Sequence, residues 1–352
     1  MTVRTREDLA ALPNYIPGRT IQGAIKLASN EVAAGPLPSV TKVIAEAANL
    51  VNRYPDMAAA ALTERIARHV GVEPDRVAVG CGSVSVCQQL IQATCSGPDD
   101  EVLFGWRSFE AYPIITQVVG ARKRTVPLTP QHRFDLDALA AAVTDRTRLI
   151  FVCNPNNPTG TAVRREELLR FLDAVPPTVL VAFDEAYREF VTDPDVPDGI
   201  RLLLDGRDNI AVLRTFSKAY GLAGLRVGYG IADPDVVTAV RKVCVPFSVN
   251  SVAQAAAIAS LDAADELLAR CKDIAAERDR VRAALLDAGY DVPPSEANFV
   301  WLPLGERTAA FNDHCLAAKV VVRAFLGDGA RVTIGLPAEN EAFLATARSF
   351  QR

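Results

Sequence analysis

Between about residues 60 and 235, short apolar runs alternate with longer stretches of mixed polarity. The runs cover residues 77–80, 101–104, 149–153, 179–183, 210–213 and 227–231. Each is too short for a typical helix, and its near-continuous apolar character suits a strand buried on both faces. Strands that alternate with helix-length stretches predict an α/β domain around a mostly parallel central sheet. A longer helical stretch follows over residues 251–288, where Asp265, Glu266, Arg270, Lys272, Asp273 and Glu277 read as its solvated face. Two further strand-like runs, 298–302 and 320–323, predict a small α+β domain. The expected division is an N-terminal arm over residues 1–30, a large domain over 31–245, and a linking helix with a small C-terminal domain over 246–352. The arm is expected to join the small domain.

Chemistry gathers where the central runs end. Lys218 follows the run Ile210-Ala211-Val212-Leu213 and sits in Thr215-Phe216-Ser217-Lys218-Ala219-Tyr220-Gly221-Leu222-Ala223-Gly224-Leu225-Arg226. A primary amine at a strand end, amid hydroxyls, small residues and a fixed cation, suits a phosphate-bearing aldehyde held as a Schiff base; pyridoxal phosphate (PLP) is such a cofactor. Taken alone, the segment is equally consistent with a solvated loop lysine. Asp184-Glu185-Ala186-Tyr187 closes the run 179–183. A carboxylate there needs a partner, and a protonated pyridine nitrogen is one; a helix N-cap is another use of the same residue. Asn154-Pro155-Asn156-Asn157-Pro158-Thr159-Gly160 closes the run 149–153 with an abrupt turn. Gly80-Cys81-Gly82-Ser83 leads into a helix-like run, where free helix N–H groups and a serine hydroxyl make a phosphate cradle. A glycine is missing from the last position of a dinucleotide fingerprint.

In this order, the Asn-Pro turn, Asp-Glu-Ala-Tyr and the Lys218 segment resemble the fold-type I PLP-dependent aminotransferases, and within them the histidinol-phosphate and aromatic amino acid aminotransferase branch. The resemblance runs from Lys26-Leu27-Ala28-Ser29-Asn30-Glu31 to Arg331-Val332-Thr333-Ile334-Gly335. It implies that Lys218 holds PLP and moves the proton, that Asp184 pairs the pyridinium, and that Tyr187 and Asn157 donate to the ring oxygen. Gly82, Ser83, Thr215, Ser217 and Arg226 would grip the phosphate, and Phe109 would stack on the ring. Tyr54, in Arg53-Tyr54-Pro55-Asp56, would reach the phosphate of a partner subunit, which implies a homodimer with shared sites. Arg331 would clamp the substrate α-carboxylate, Arg323 would face the side-chain pocket, and Tyr15 would belong to an arm covering the substrate. The substrates implied are an amino acid and a 2-oxo acid such as 2-oxoglutarate.

Substrate choice divides the branch. The segment Asn30-Glu31-Val32-Ala33-Ala34-Gly35-Pro36 lacks the second Asn-Pro of many relatives, and Gly105-Trp106-Arg107-Ser108-Phe109 resembles the aromatic side of the branch. Aromatic amino acids are therefore expected first and histidinol phosphate second. A PLP decarboxylase acting on a phosphorylated amino acid would share Lys218, Asp184 and Arg226. An aminotransferase-like sensor domain of a transcription regulator is disfavoured, because only about 25 residues precede Leu27, too few for a helix-turn-helix domain.

Composition narrows the classes. A chain of 352 residues with 49% hydrophobic and 23% charged residues has globular proportions. A net charge of −4 is no footprint for nucleic acid. No apolar run reaches membrane-spanning length, and the first residues lack a signal-peptide core. Cys81, Cys87, Cys95, Cys153, Cys244, Cys271 and Cys315 are scattered, as reduced thiols of a cytoplasmic enzyme would be. His69, His132 and His314 have no metal-ligand spacing, so no metal is expected.

Overall fold

In the computed structural model, residues 3–10, 12, 18 and 20–351 are described. Among the described residues, eleven strands fall into two sheets. In chain order they are β1 (Ile25–Leu27), β2 (Val77–Gly80), β3 (Glu101–Trp106), β4 (Arg122–Pro127), β5 (Thr147–Cys153), β6 (Leu180–Asp184), β7 (Ile210–Thr215), β8 (Gly228–Ile231), β9 (Phe299–Leu302), β10 (Val320–Phe325) and β11 (Gly329–Thr333).

The larger sheet has the order β2-β8-β7-β6-β5-β3-β4. β8 runs antiparallel to both neighbours, and the remaining pairs are parallel. Its central strands are buried along nearly their whole length, which is why they read as apolar runs. The C-terminal ends of β5, β6 and β7 stand side by side, with Cys153 in register with Asp184 and Asp184 with Leu213. The three turns singled out in the sequence thus leave the same edge of one sheet, where open α/β sheets hold ligands.

The smaller sheet has the order β1-β10-β11-β9. It carries a separate core that includes Leu27, Val281, Val300, Phe311, Val332 and Phe343. Antiparallel pairing of β10 with β11 sets Arg323 directly opposite Arg331. β1 joins β10 in parallel, so the segment before the large domain belongs to this second sheet.

Two expectations are corrected. The single helix over 251–288 is two helices, Ser251–Asp262 and Ala264–Asp287. Ala263 between them leaves helical geometry at φ −103°, ψ 23°. The first piece packs Ala253, Ala256, Ala257 and Leu261 into the large core, while the second gives Leu267 and Cys271 to the large core and Val281 and Leu285 to the small one. The second correction is β4, absent from the apolar pattern. Its residues Arg122, Lys123, Arg124 and Thr125 are exposed, so it is an edge strand whose charges discourage further pairing. Among the described residues, no helix is long and apolar enough to cross a membrane.

Candidate active site

A cavity of about 850 Å³ opens at the strand ends of the large sheet and reaches the small one. Lys218, Asp184, Tyr187, Asn157, Ser83, Phe109, Thr215, Ser217, Arg226, Arg323 and Arg331 all line it. Gly82 lies directly behind Arg226. Two expected residues stand apart. Tyr54 is 83% exposed and stacks on Phe247 at 4.7 Å between ring centroids. Tyr15 lies outside the described residues.

The amine of Lys218 donates to the backbone oxygen of Ser29 at 3.2 Å. Burial, reinforced by the nearby cations Arg331 and Arg226, lowers its pKa to about 7, against the opposing pull of Glu31 and Asp184. A neutral amine at physiological pH is the form that attacks a carbonyl.

Asp184 is 3% exposed at the end of β6. Burial pushes its carboxyl above the ordinary range. Tyr112, the Ala186 N–H and Lys218 pull it back. Tyr112 Oη donates to Asp184 Oδ2 at 2.7 Å, and the tyrosine ring is stacked on Phe151 at 4.5 Å. Sequence reasoning missed Tyr112, which reads in its helix as one more core aromatic. A buried carboxylate facing a cavity is completed by a cation from a ligand, and a pyridinium N–H is such a group.

The phosphate cradle forms where the helix Ser83–Thr94 begins. Gly82 caps it at φ 77°, and a Cβ there would collide with the Arg226 guanidinium. Arg226 itself is in the left-handed region at φ 59°, uncommon for a residue other than glycine and a sign of a backbone held by its surroundings. Its Nη1 donates to Ser217 Oγ at 3.3 Å and to Ala223 O at 3.0 Å. Thr215 Oγ1 accepts from the Ser217 N–H at 3.1 Å. Helix N–H groups, two hydroxyls and a guanidinium converge at one end of the cavity, the donor set of an anion site. With the amine and the carboxylate, they fit a phosphorylated pyridine aldehyde.

The Asn-Pro turn braces the opposite wall. Asn156 Nδ2 donates to Thr159 Oγ1 at 2.8 Å and Asn156 Oδ1 accepts from Ser108 Oγ at 2.8 Å, so this asparagine is structural. Gly160 closes the turn at φ 75°, where a Cβ would collide with Ser295. Asn157 presents its amide oxygen to Arg331 Nη1 at 2.5 Å, and Arg331 Nη2 donates to Ala28 O at 2.7 Å. Tyr187 Oη accepts from Asn30 Nδ2 at 2.9 Å, and burial raises its phenol pKa. Asn30, in turn, is tied to Thr333: its N–H donates to Thr333 Oγ1 at 2.9 Å, and its Oδ1 accepts from the same hydroxyl at 3.0 Å. The sequence segment around Asn30 marked the start of the resemblance without assigning it this role. Arg323 pairs with Glu110 at 2.6 Å, and Glu110 was also missed.

Comparison with known proteins places this site in a family. The model for aminotransferase class I and II matches residues 22–346. An aromatic amino acid aminotransferase of Nocardia farcinica is 61% identical over 99% of this chain and 97% of its own length. One of Rhodococcus jostii is 62% identical over 99% of this chain and 96% of its own. A histidinol-phosphate aminotransferase of Sinorhizobium meliloti, solved in complex with pyridoxal-5'-phosphate, superposes with a TM-score of 0.89 at 30% identity, covering 99% of both chains. The cavity at the strand ends and these likenesses lead to one conclusion: the chain belongs to the class I and II aminotransferases, with the fold-type I architecture.

Proposed function

We propose that the protein is a PLP-dependent aromatic amino acid aminotransferase, moving the amino group of phenylalanine, tyrosine or tryptophan to a 2-oxo acid such as 2-oxoglutarate. The observation that carries this is the amine of Lys218 in one cavity with Asp184, Arg226 and Arg331. The name shared by relatives at about 60% identity supports the aromatic substrate over histidinol phosphate.

When bound, PLP acts as an electron sink that stabilises negative charge at the substrate α-carbon. The chain's own residues do the rest. Lys218 would anchor the cofactor and, as a free amine, would carry the proton between the substrate α-carbon and the cofactor. Asp184 would pair with the ring nitrogen, and Tyr112, donating to Asp184 Oδ2 at 2.7 Å, favours its charged form. Gly82, Ser83, Thr215, Ser217 and Arg226 would hold the phosphate, and Phe109 would lie against the ring. Tyr187 and Asn157 would donate to the ring oxygen. Arg331 receives the α-carboxylate, for which its fork is suited.

The reading extends to assembly and place. Leu50, Val51, Tyr54, Met57 and Val245 are each more than 60% exposed around the Tyr54–Phe247 pair. Such a patch supports a homodimer in which Tyr54 reaches the partner's phosphate site. The division into an arm over residues 1–30, a large domain over 31–245 and a small one over 246–352 is part of the same reading, as is a cytoplasmic location. A steady-state assay tests the reaction. Phenylalanine with 2-oxoglutarate should yield phenylpyruvate and glutamate in equal amounts, both absent without the acceptor. Release of carbon dioxide without dependence on a 2-oxo acid would select the decarboxylase instead.

A further inference from the structure

Arg323 and Arg331 stand directly opposite each other on β10 and β11, and both line the cavity. Two like charges in such register repel. Glu110 relieves this: its Oε2 lies 2.6 Å from Arg323 Nη2, with side chains 31% and 14% exposed. Glu110 is positioned by the backbone at the start of the helix Ala111–Val119, one residue after Phe109. The surrounding wall is apolar, with Phe109, Ile114, Ile115 and Phe325. The Arg323 guanidinium lies over the Phe325 ring at 5.5 Å.

We infer that Glu110 is a specificity-determining residue, setting the charge preference of the side-chain pocket through its ion pair with Arg323. Paired, Arg323 presents no net cation, and a neutral aromatic side chain meets Phe109 and Phe325. A substrate with an anionic tail, whether a phosphate monoester or a second carboxylate, must compete with the Glu110 carboxylate for the same guanidinium. Rejection thus comes from a built-in competitor rather than from the size of the pocket. An acceptor with a distal carboxylate faces the same competition. The inference rests on the aromatic aminotransferase reading and deepens it.

The test uses the cofactor-loaded protein and two unreactive ligands, glutarate and 3-phenylpropanoate. Their dissociation constants are read from the shift each causes in the visible absorbance of the bound cofactor. Glu110→Gln keeps shape and removes charge. It should tighten glutarate by about tenfold or more, a modest share of the cost of misplaced interfacial charge, and leave 3-phenylpropanoate within about twofold. KM for histidinol phosphate and for 2-oxoglutarate should fall in parallel, with kcat for phenylalanine retained. Glu110→Asp should keep the wild-type preference, and Glu110→Gln on an Arg323→Gln background should tighten glutarate less than it does with Arg323 present. An unchanged ratio of the two dissociation constants in Glu110→Gln overturns the inference, as does an equal change in Glu110→Asp. If Glu110→Gln fails to hold cofactor, the comparison of the Glu110→Gln/Arg323→Gln double variant with the wild type decides. Equal glutarate binding by those two proteins supports a guanidinium already occupied by Glu110, and a large loss contradicts it. A wild-type protein that does not turn over phenylalanine would defeat the aromatic reading alone, because the ligand ratio is measured without turnover.

Discussion

Lys218 shows how far a single residue can be read in advance. Its segment gave the amine, hydroxyls and arginine in order, and the structure brings these to one cavity. The low pKa was not legible, because it comes from burial and from Arg331, 113 positions away in the chain (331 − 218). Tyr112 and Glu110 were illegible for a related reason: an aromatic and a carboxylate at a helix start have many ordinary uses, and only tertiary structure turns them toward Asp184 and Arg323. Two predictions belong at this scale. Below pH 7 most Lys218 amine is protonated and cannot attack an aldehyde. The rate at which apo-protein captures PLP should therefore rise about tenfold per pH unit up to about 7 and level off above it. A rate that keeps climbing to pH 10 would contradict the lowered pKa. Tyr112→Phe removes one hydrogen bond to a buried charge, a loss of about 1.5–3 kcal/mol. PLP should dissociate correspondingly more readily from that variant, measured by equilibrium dialysis; unchanged retention would free Asp184 from dependence on Tyr112.

At the scale of elements, β6 and β7 are held together at their active ends by a buried ionic cluster. Arg214 Nη2 lies 2.8 Å from Glu185 Oε2 and 2.8 Å from Asp198 Oδ1, with Arg214 11% and Glu185 3% exposed. Glu185 also accepts from the Gly199 N–H at 2.7 Å. The pair sits one residue past Asp184 on one strand and four before Lys218 on the next. Arg214→Met strands a buried carboxylate and should destabilise the protein by about 3–5 kcal/mol in chemical denaturation. A loss below about 1 kcal/mol would show that water or Arg188 takes over. The central strands were legible because burial on both faces leaves no polar position to confuse the pattern. β4 and the break at Ala263 were not. An exposed edge strand carries charges like any loop, and an alanine-rich helix gives no local sign of where it breaks.

The whole molecule sets two sheets around one cavity, with Arg323 and Arg331 coming from the smaller sheet and Lys218, Asp184 and Arg226 from the strand ends of the larger. Arg331 was singled out through the resemblance alone, since nothing local in Arg331-Val332-Thr333 announces a site. The proposed dimer is tested at this scale through Tyr54. In sedimentation the protein should run as a dimer, and Tyr54→Ala should bind PLP more weakly while its circular dichroism is unchanged. A monomer of full activity would remove Tyr54 from the site. The central claim is an aromatic amino group exchanged through Lys218, and single-turnover mixing tests it most directly. Cofactor-loaded protein is mixed separately with phenylalanine, tyrosine, histidinol phosphate and aspartate, and its visible absorbance is followed. Phenylalanine and tyrosine should discharge the absorbance fastest, and Lys218→Ala should show neither the starting absorbance nor the change. Discharge by histidinol phosphate alone, or by none of the four, would contradict the account.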